Sequence, residues 1–418
     1  MAIIKENFKN TTEYMKAFLK WVLLSVLVGL VGGALGSVFH LLIDYVTELR
    51  MEKGFLLYFL PVGGLLIAAM YHLFSSKGKI DTNRVILSVR KDEKVPLVMI
   101  PLIFISTVIT HMLGGSAGRE GAALQLGGSI GYNFGRLFRL NEKDLHIIIM
   151  SGMGAVFAAL FGTPLTAAIF AIEVITVGVI HYGAIVPCTI SALTAYLVSK
   201  MFGLTGVRFT GIAFADITPQ GLVQVALLAL LCAVVSILFC FVMKKCEHIM
   251  DKLLPNRYLR VFLGGLAIVV LSALLGTRDY NGAGMDVITR AMDGNANGEA
   301  FLLKIIFTAI TISAGFKGGE IVPAFFIGST FGCVAGPLLG MDASFAAAIG
   351  FTALFCGVVN CPIASIILSI EVFGVQGLWY FALACAITYM MSGYYGLYHS
   401  QKIMCSKIND EYIDIHTK

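Results

Sequence analysis

The sequence predicts an all-α, polytopic membrane protein made of two related halves, and three observations predict it. Long apolar runs recur along the chain, charged residues are scarce, and one set of Gly, Glu and Pro landmarks occurs twice. The chain is 58% hydrophobic and 13% charged, with a mean hydropathy of +0.86. A soluble globular protein carries about 25% charged residues. The apolar runs are Trp21–Ile43, Phe55–Leu73, Val95–His111, His146–Val179, Gly183–Phe202, Leu222–Met243, Tyr258–Leu275, Phe301–Ala314, Ala343–Phe373 and Trp379–Ser392. A crossing helix needs about 20 apolar residues, so several of these runs qualify and no room is left for a soluble alternative. The runs are uneven and interrupted by Gly and Pro, and 45 glycines predict close helix packing and broken helices.

The net charge of +5 is small and spread among loops, which gives no argument for nucleic-acid binding. Basic residues gather in Met1–Lys20, Arg84–Lys94, Arg136–Lys143 and Lys244–Arg260, and the positive-inside rule predicts that these face the cytoplasm. The first apolar run starts too late and is too long for a cleavable signal peptide. Of nine cysteines, Cys188, Cys232, Cys240, Cys356, Cys361 and Cys385 lie inside these runs and Cys333 among the apolar residues after Gly328; they read as small hydrophobes rather than a disulfide framework. No Cys/His spacing suggests a metal site, and no cofactor is implied.

The repeat is read from landmarks. Gly118-Arg119-Glu120, then Gly128-Ser129, then Phe161-Gly162-Thr163-Pro164 leading to Glu173-Val174, are echoed by Gly318-Gly319-Glu320, Gly328-Ser329 and Val359-Asn360-Cys361-Pro362 leading to Glu371-Val372. The displacement is 200 residues at the first two landmarks and 198 at the prolines and the later glutamates. Internal repeats are common in secondary transporters, with the site at the repeat interface near the midplane. The polar stretch Thr205–Gln220 predicts the boundary. The expected organisation is a cytoplasmic segment 1–16, a first membrane repeat 17–212, a second repeat 213–398 and a short cytoplasmic tail 399–418. Arg278–Glu299 reads as a second polar loop.

Each repeat places a Gly-rich break before an apolar helix. A helix starting there presents unpaired N–H groups and the positive end of its dipole. Two such ends meeting in the membrane bind an anion without a full positive charge, weakly enough to let it leave. Glu120 sits within the first break, where a carboxylate at bilayer depth needs a reason to exist. Ionised, it could occupy an anion position; protonated, it could vacate it. One group then serves as gate and proton carrier. Glu320, its counterpart, reads either as a second such group or as a helix N-cap. Glu173 and Glu371, late in apolar helices, read as structural carboxylates bonded to nearby backbone. Arg119 reads as a brace that points away from the ion.

These residues resemble the CLC family of chloride channels and anion/proton antiporters. Gly118-Arg119-Glu120-Gly121 resembles its Gly-Arg-Glu-Gly-Pro motif, with Ala122 in place of Pro. The segment from Gly318 to Gly328 resembles its Gly-Gly-x-Phe-x-Pro motif, the segment from Phe161 to Glu173 the helix after the gate, and Gly396-Leu397-Tyr398 the loop with the pore tyrosine. The match runs in family order from about residue 20 to 405. The resemblance implies two inverted repeats with broken helices meeting at a mid-membrane anion site, and a homodimer with one pore per subunit in the lipid bilayer. It also implies Glu120 as external gate and Tyr398 as hydroxyl donor to the central anion. From the residues alone, Tyr398 beside Tyr394 and Tyr395 reads as an interfacial belt tyrosine.

Three departures narrow the resemblance. The family's Gly-Ser-Gly-Ile-Pro motif is replaced by the stretch Lys77 to Ile86, where Asn83, and second Thr82, stands nearest to the anion-coordinating Ser. The inner proton glutamate is Val174, and the common Ile-Phe pair is Glu320-Ile321. Together these resemble the fluoride-exporting branch, CLC-F, whose members are similar to fluoride/proton antiporters. An Asn amide supplies two N–H donors where a Ser hydroxyl supplies one, which suits a small, strongly hydrated anion. The expectation is therefore fluoride export coupled to proton import. Glu120 and Glu320 would gate and carry protons. Asn83, Thr82, Tyr398 and backbone N–H groups at Gly121, Ile321 and Val322 would hold the anion. The alternatives are chloride/proton exchange and, because Val174 permits it, a passive anion channel. The intact breaks argue against a non-transporting sensor, and no nucleophile or metal motif supports an enzyme. The resemblance suits a prokaryotic plasma membrane.

Overall fold

The computed structural model describes residues 2–74, 81–91, 93–214 and 216–418. Among them are sixteen α-helices. Eight precede the Thr205–Gln220 stretch: α1 (Ala2–Glu52), α2 (Leu60–Phe74), α3 (Thr82–Arg90), α4 (Met99–Met112), α5 (Glu120–Leu137), α6 (Glu142–Phe161), α7 (Pro164–Glu173) and α8 (Ile185–Met201). Eight follow it: α9 (Pro219–Leu253), α10 (Arg257–Leu275), α11 (Met285–Met292), α12 (Ala300–Ala314), α13 (Ile321–Leu338), α14 (Ala343–Val359), α15 (Pro362–Phe373) and α16 (Leu378–Met391). Seven helical stretches are long and apolar enough to cross a membrane, and six shorter apolar helices have 10–17 residues. The mixture of full and partial helices is what the uneven runs predicted.

Two of the runs are split at matching places. α6 ends on Gly162 (φ 68°) and α7 begins with Pro164 at its first turn; α14 ends on Asn360 (φ 56°) and α15 begins with Pro362. A left-handed residue closes the outgoing helix, and proline suits the first turn of the next because its missing N–H would be unpaired there anyway. The Gly/Asn and Pro pairs thus turn the chain at equivalent points of both halves.

The halves also pack alike. α5 crosses α6 through Gly127, Gly131 and Gly152, and α13 crosses α14 through Gly328, Gly332 and Gly350; a Cβ at any of these would strike backbone of the facing helix. Backbone contact of this kind brings α5 and α13 deep into the protein, with most of their residues buried.

Two expectations are corrected. Arg278–Glu299 is not simply a loop: it contains α11, whose Val287, Ile288, Ala291 and Met292 are buried. Their i, i+1, i+4, i+5 spacing makes one apolar face, hidden among polar neighbours. Asp286 and Arg290 pair at 3.9 Å on the other face. Second, the segment 399–418 is built into the fold. β2 (Lys402–Cys405) pairs parallel with β1 (Thr176–Val177), in the loop after α7, and antiparallel with β3 (Tyr412–His416). The alternation Tyr412-Ile413-Asp414-Ile415-His416 is a strand pattern that a reading directed at membrane helices passes over.

Candidate functional site

The two breaks touch. Gly118 and Gly319 form an antiparallel bridge, each N–H donating to the other's carbonyl at 2.7 Å. α5 and α13 start directly after this bridge, so the free N–H groups of both helices open on one region. Gly121, in the first turn of α5, packs against the carbonyl of Gly318 and Gly319 Cα, and no larger residue fits between the breaks.

Glu120 is the first residue of α5 and is fully buried. Its Oε2 accepts from the backbone N–H of Val322, in the first turn of α13, at 3.3 Å. Its Oε1 has no partner among the described residues. A carboxylate from one half therefore sits on the N-terminus of the other half's helix, where the dipole favours a negative group. A Cβ at Gly118 would collide with that carboxylate, which explains a glycine two residues earlier. Arg119 turns the other way: its guanidinium donates to Asp44 of α1 at 2.8 Å, and Asp44 also pairs with His40 at 3.0 Å. The arginine braces the break, as expected, and its charge goes to Asp44 rather than to the gap between the helices.

Glu320 occupies the N-cap position of α13, yet its side chain makes no cap bond. It lines a cavity of about 520 Å³ together with Thr82, Asn83, Gln125 and Tyr398. The same cavity is also lined by Lys317, by Lys244, Glu247 and Asp251 on α9 and by Arg257 and Arg260 on α10; the α9 and α10 residues belong to the basic cluster predicted to face the cytoplasm. Tyr398 is buried and its hydroxyl has no partner among the described residues, unlike a belt tyrosine reaching for the interface. An orphaned donor lining a cavity calls for a ligand or water.

Thr82 and Asn83 line the same cavity from the start of α3, where Asp81 caps the helix by accepting from Arg84 N–H at 3.0 Å; residues 77–80, the rest of that motif, lie outside the described residues. Thr82 Oγ1 donates to the Gly121 carbonyl at 3.4 Å and accepts from Gln125 Nε2 at 3.2 Å. Asn83 Oδ1 accepts from Ser400 N–H at 3.1 Å, so its acceptor is occupied. Gln125, whose Oε1 is buried without a partner among the described residues, was not read from the sequence. The available signal was its place one turn after Gly121, the lone polar side chain in an Ala-Ala-Leu-Gln-Leu stretch.

Glu173 and Glu371 are used differently. Glu173 accepts from Ile363 N–H at 3.1 Å and Ala364 N–H at 2.8 Å, capping α15. Glu371 accepts from Leu165 N–H at 3.0 Å, Thr166 N–H at 2.8 Å and Thr166 Oγ1 at 2.6 Å, capping α7. Each half supplies the cap for the other half's Pro-initiated helix. Val174 follows Glu173; its carbonyl accepts from Gln401 Nε2 at 3.0 Å.

Comparison with known proteins shows the family and the fold. The family model described as "Voltage gated chloride channel" matches residues 63–393. The chain is similar to a chloride/fluoride channel protein of Pseudomonas syringae, 34% identical over 395 residues, covering 93% of this chain and 87% of the relative. It is also similar to the H(+)/Cl(-) exchange transporter ClcA of Vibrio vulnificus, 25% identical over 388 residues, covering 83% and 81%. Among solved structures, a CLC-type fluoride/proton antiporter matches with a TM-score of 0.88 and 33% identity over 92% of this chain and 98% of that one. A slow cyanobacterial Cl-/H+ antiporter shares the fold, with a TM-score of 0.75 at 20% identity over 89% and 94%.

Proposed function

Because this chain belongs to the voltage gated chloride channel family, a family of membrane transport proteins, we propose that it exchanges fluoride for protons, exporting the anion as protons enter. The observation that carries the reading is the Glu120 carboxylate on the Val322 N–H, at a buried helix N-terminus with one oxygen unpartnered. That carboxylate holds a seat that an anion would otherwise take. When it binds a proton its charge is gone, its hold on the α13 N-terminus weakens, and the seat opens to a fluoride ion. When the proton leaves towards the cavity, the carboxylate returns and closes the path. Glu320, half-buried and without a cap bond, serves as the group that meets the proton on the cavity side. Tyr398 Oη, the Asn83 amide N–H groups, Thr82 and the N–H groups of Gly121, Ile321 and Val322 serve the dehydrated anion. The reading is supported by the similarity to a protein described as a fluoride/proton antiporter, and it includes a homodimer, as the family resemblance implies.

The test is fluoride and chloride efflux from proteoliposomes with external pH recorded. Fluoride release with proton uptake and little chloride movement supports the reading. Comparable chloride flux makes the protein a general anion/proton exchanger. A second reading, a passive channel, is favoured by Val174 in place of an inner carboxylate and by the name of the Pseudomonas relative; fluoride flux with no proton uptake would establish it.

A further inference from the structure

The loop that carries Tyr398 belongs to no helix. α16 ends at Met391, and residues 392–401 run to β2. Backbone without regular bonds must find partners elsewhere, and this loop finds them in three places. From α3, Asn83 Oδ1 accepts from Ser400 N–H at 3.1 Å and Arg90 donates to the Ser400 carbonyl at 2.7 Å. From the end of α14, the Val358 carbonyl accepts from Leu397 N–H at 2.9 Å, and Asn360 Nδ2 donates to the Tyr395 carbonyl at 2.9 Å. The third place is the stretch after β3. Thr417 Oγ1 donates to the carbonyl of Tyr398 itself at 2.8 Å, and Lys418 N–H donates to the Tyr394 carbonyl at 2.7 Å. The Thr417 backbone is held in turn: its N–H donates to the Gln401 carbonyl at 3.3 Å, and Lys244 Nζ donates to its carbonyl at 3.1 Å.

Gln401 anchors the other side. It is fully buried, and its Nε2 donates to the carbonyls of Val174 and Val359 at 3.0 and 2.9 Å while its Oε1 accepts from Asn360 Nδ2 at 3.3 Å. Its own N–H donates to the Tyr398 carbonyl at 2.8 Å. The Tyr398 carbonyl is thus fixed by two donors, one from the pin that ties both halves together and one from Thr417. The phenol, by contrast, has no partner at its hydroxyl among the described residues. Tyr398 lines the cavity, and its side chain is placed by packing and by the backbone it hangs from.

We propose that Thr417 is a positioning residue for anion binding: the β2–β3 hairpin and the residues after it act as a strap that sets the Tyr398 hydroxyl. The inference rests on reading Tyr398 as an anion ligand, and it goes beyond that reading by making residues 412–418 part of the transport site.

The experiment is the fluoride dependence of initial efflux from proteoliposomes for the full chain, Tyr398→Phe, Thr417→Val, Thr417→Ser and the double variant Tyr398→Phe/Thr417→Val. Loss of one hydrogen bond predicts a rise of about threefold to tenfold in half-saturating fluoride for Thr417→Val, with the maximal rate changed far less. Thr417→Ser restores the original value, and Thr417→Val adds nothing once Tyr398 is Phe. If Tyr398→Phe weakens fluoride binding but Thr417→Val does not, the strap is wrong and the role of Tyr398 stands. If Tyr398→Phe itself changes nothing, Tyr398 is no ligand and both ideas fall. Should Thr417→Val not yield folded protein, Gly396→Ala decides, because its Cβ would sit 3.1 Å from Thr417 Cγ2 and 2.8 Å from Asn360 Nδ2. An unchanged half-saturation there, with only maximal rate or yield reduced, overturns the proposal.

Discussion

Glu173 and Glu371 on one side, Glu120 and Glu320 on the other, are the same residue type in repeated positions of one membrane protein, yet their surroundings differ. The first pair accept two and three hydrogen bonds from the helix starts they cap. In the second pair, Glu120 has one partner at 3.3 Å and a bare oxygen, and Glu320 sits at a cap position without capping. Burial alone does not separate the pairs, since Glu120 and Glu173 are both buried. Saturation does. A carboxylate whose two oxygens both accept from helix-start donors is part of the scaffold; one held through a single oxygen can exchange that bond for something else.

The contrast is broken or sharpened most strongly at Glu120. Glu120→Gln is expected to abolish proton uptake during fluoride efflux, and to remove the acceleration by lower external pH expected of the native protein; pH and fluoride electrodes on proteoliposomes read the two. Next come the caps. Glu371→Leu leaves the N–H groups of Leu165 and Thr166 without acceptors, at about 1–3 kcal/mol for the buried Thr166 donor. Thermal unfolding in detergent should fall accordingly, with proton coupling retained in what remains folded. A Glu173→Leu protein of native stability that fails to move protons would reverse the assignment of the two pairs. Glu320→Gln should do the opposite of the caps: unchanged unfolding, with coupled transport slowed about tenfold, a barrier change of about 1.4 kcal/mol. Asn83→Asp keeps the acceptor for Ser400 N–H and deletes the amide donors, so fluoride flux should fall while the loop stays in place; Asn83→Ala, which loses both, is the control. The smallest effect belongs to Arg119→Gln. Its partner Asp44 is half exposed, and such pairs are worth about 0.2–1 kcal/mol, so coupling should persist.

The membrane class, the breaks and the repeat were legible because composition and Gly/Pro punctuation carry them directly. Thr163-Pro164 and Cys361-Pro362 show where helices restart. They do not show that Glu371 and Glu173 cap them, because donors and acceptors lie 190–206 residues apart. The order of Asn83 and Thr82 was equally out of reach. Adjacent helix residues point about 100° apart, and only the start of α3 at Asp81 decides that Thr82 faces Gly121 while Asn83 meets Ser400. Gln125 and Gln401 carry no motif; a glutamine announces its role only once its partners are known. α11 and the 402–416 hairpin were missed for a related reason: short periodic segments are weak signals beside long apolar runs.

The crossed caps set a schedule for the nascent chain. The start of α7 cannot receive its acceptor until Glu371 has been made, 205 residues after Thr166. At about 5–20 residues per second, those N–H groups wait roughly 10–40 s inside a bilayer that offers no water in exchange. The insertion machinery, or a borrowed acceptor from a neighbouring segment, must shelter them for that interval, and the first half on its own has no way to end it.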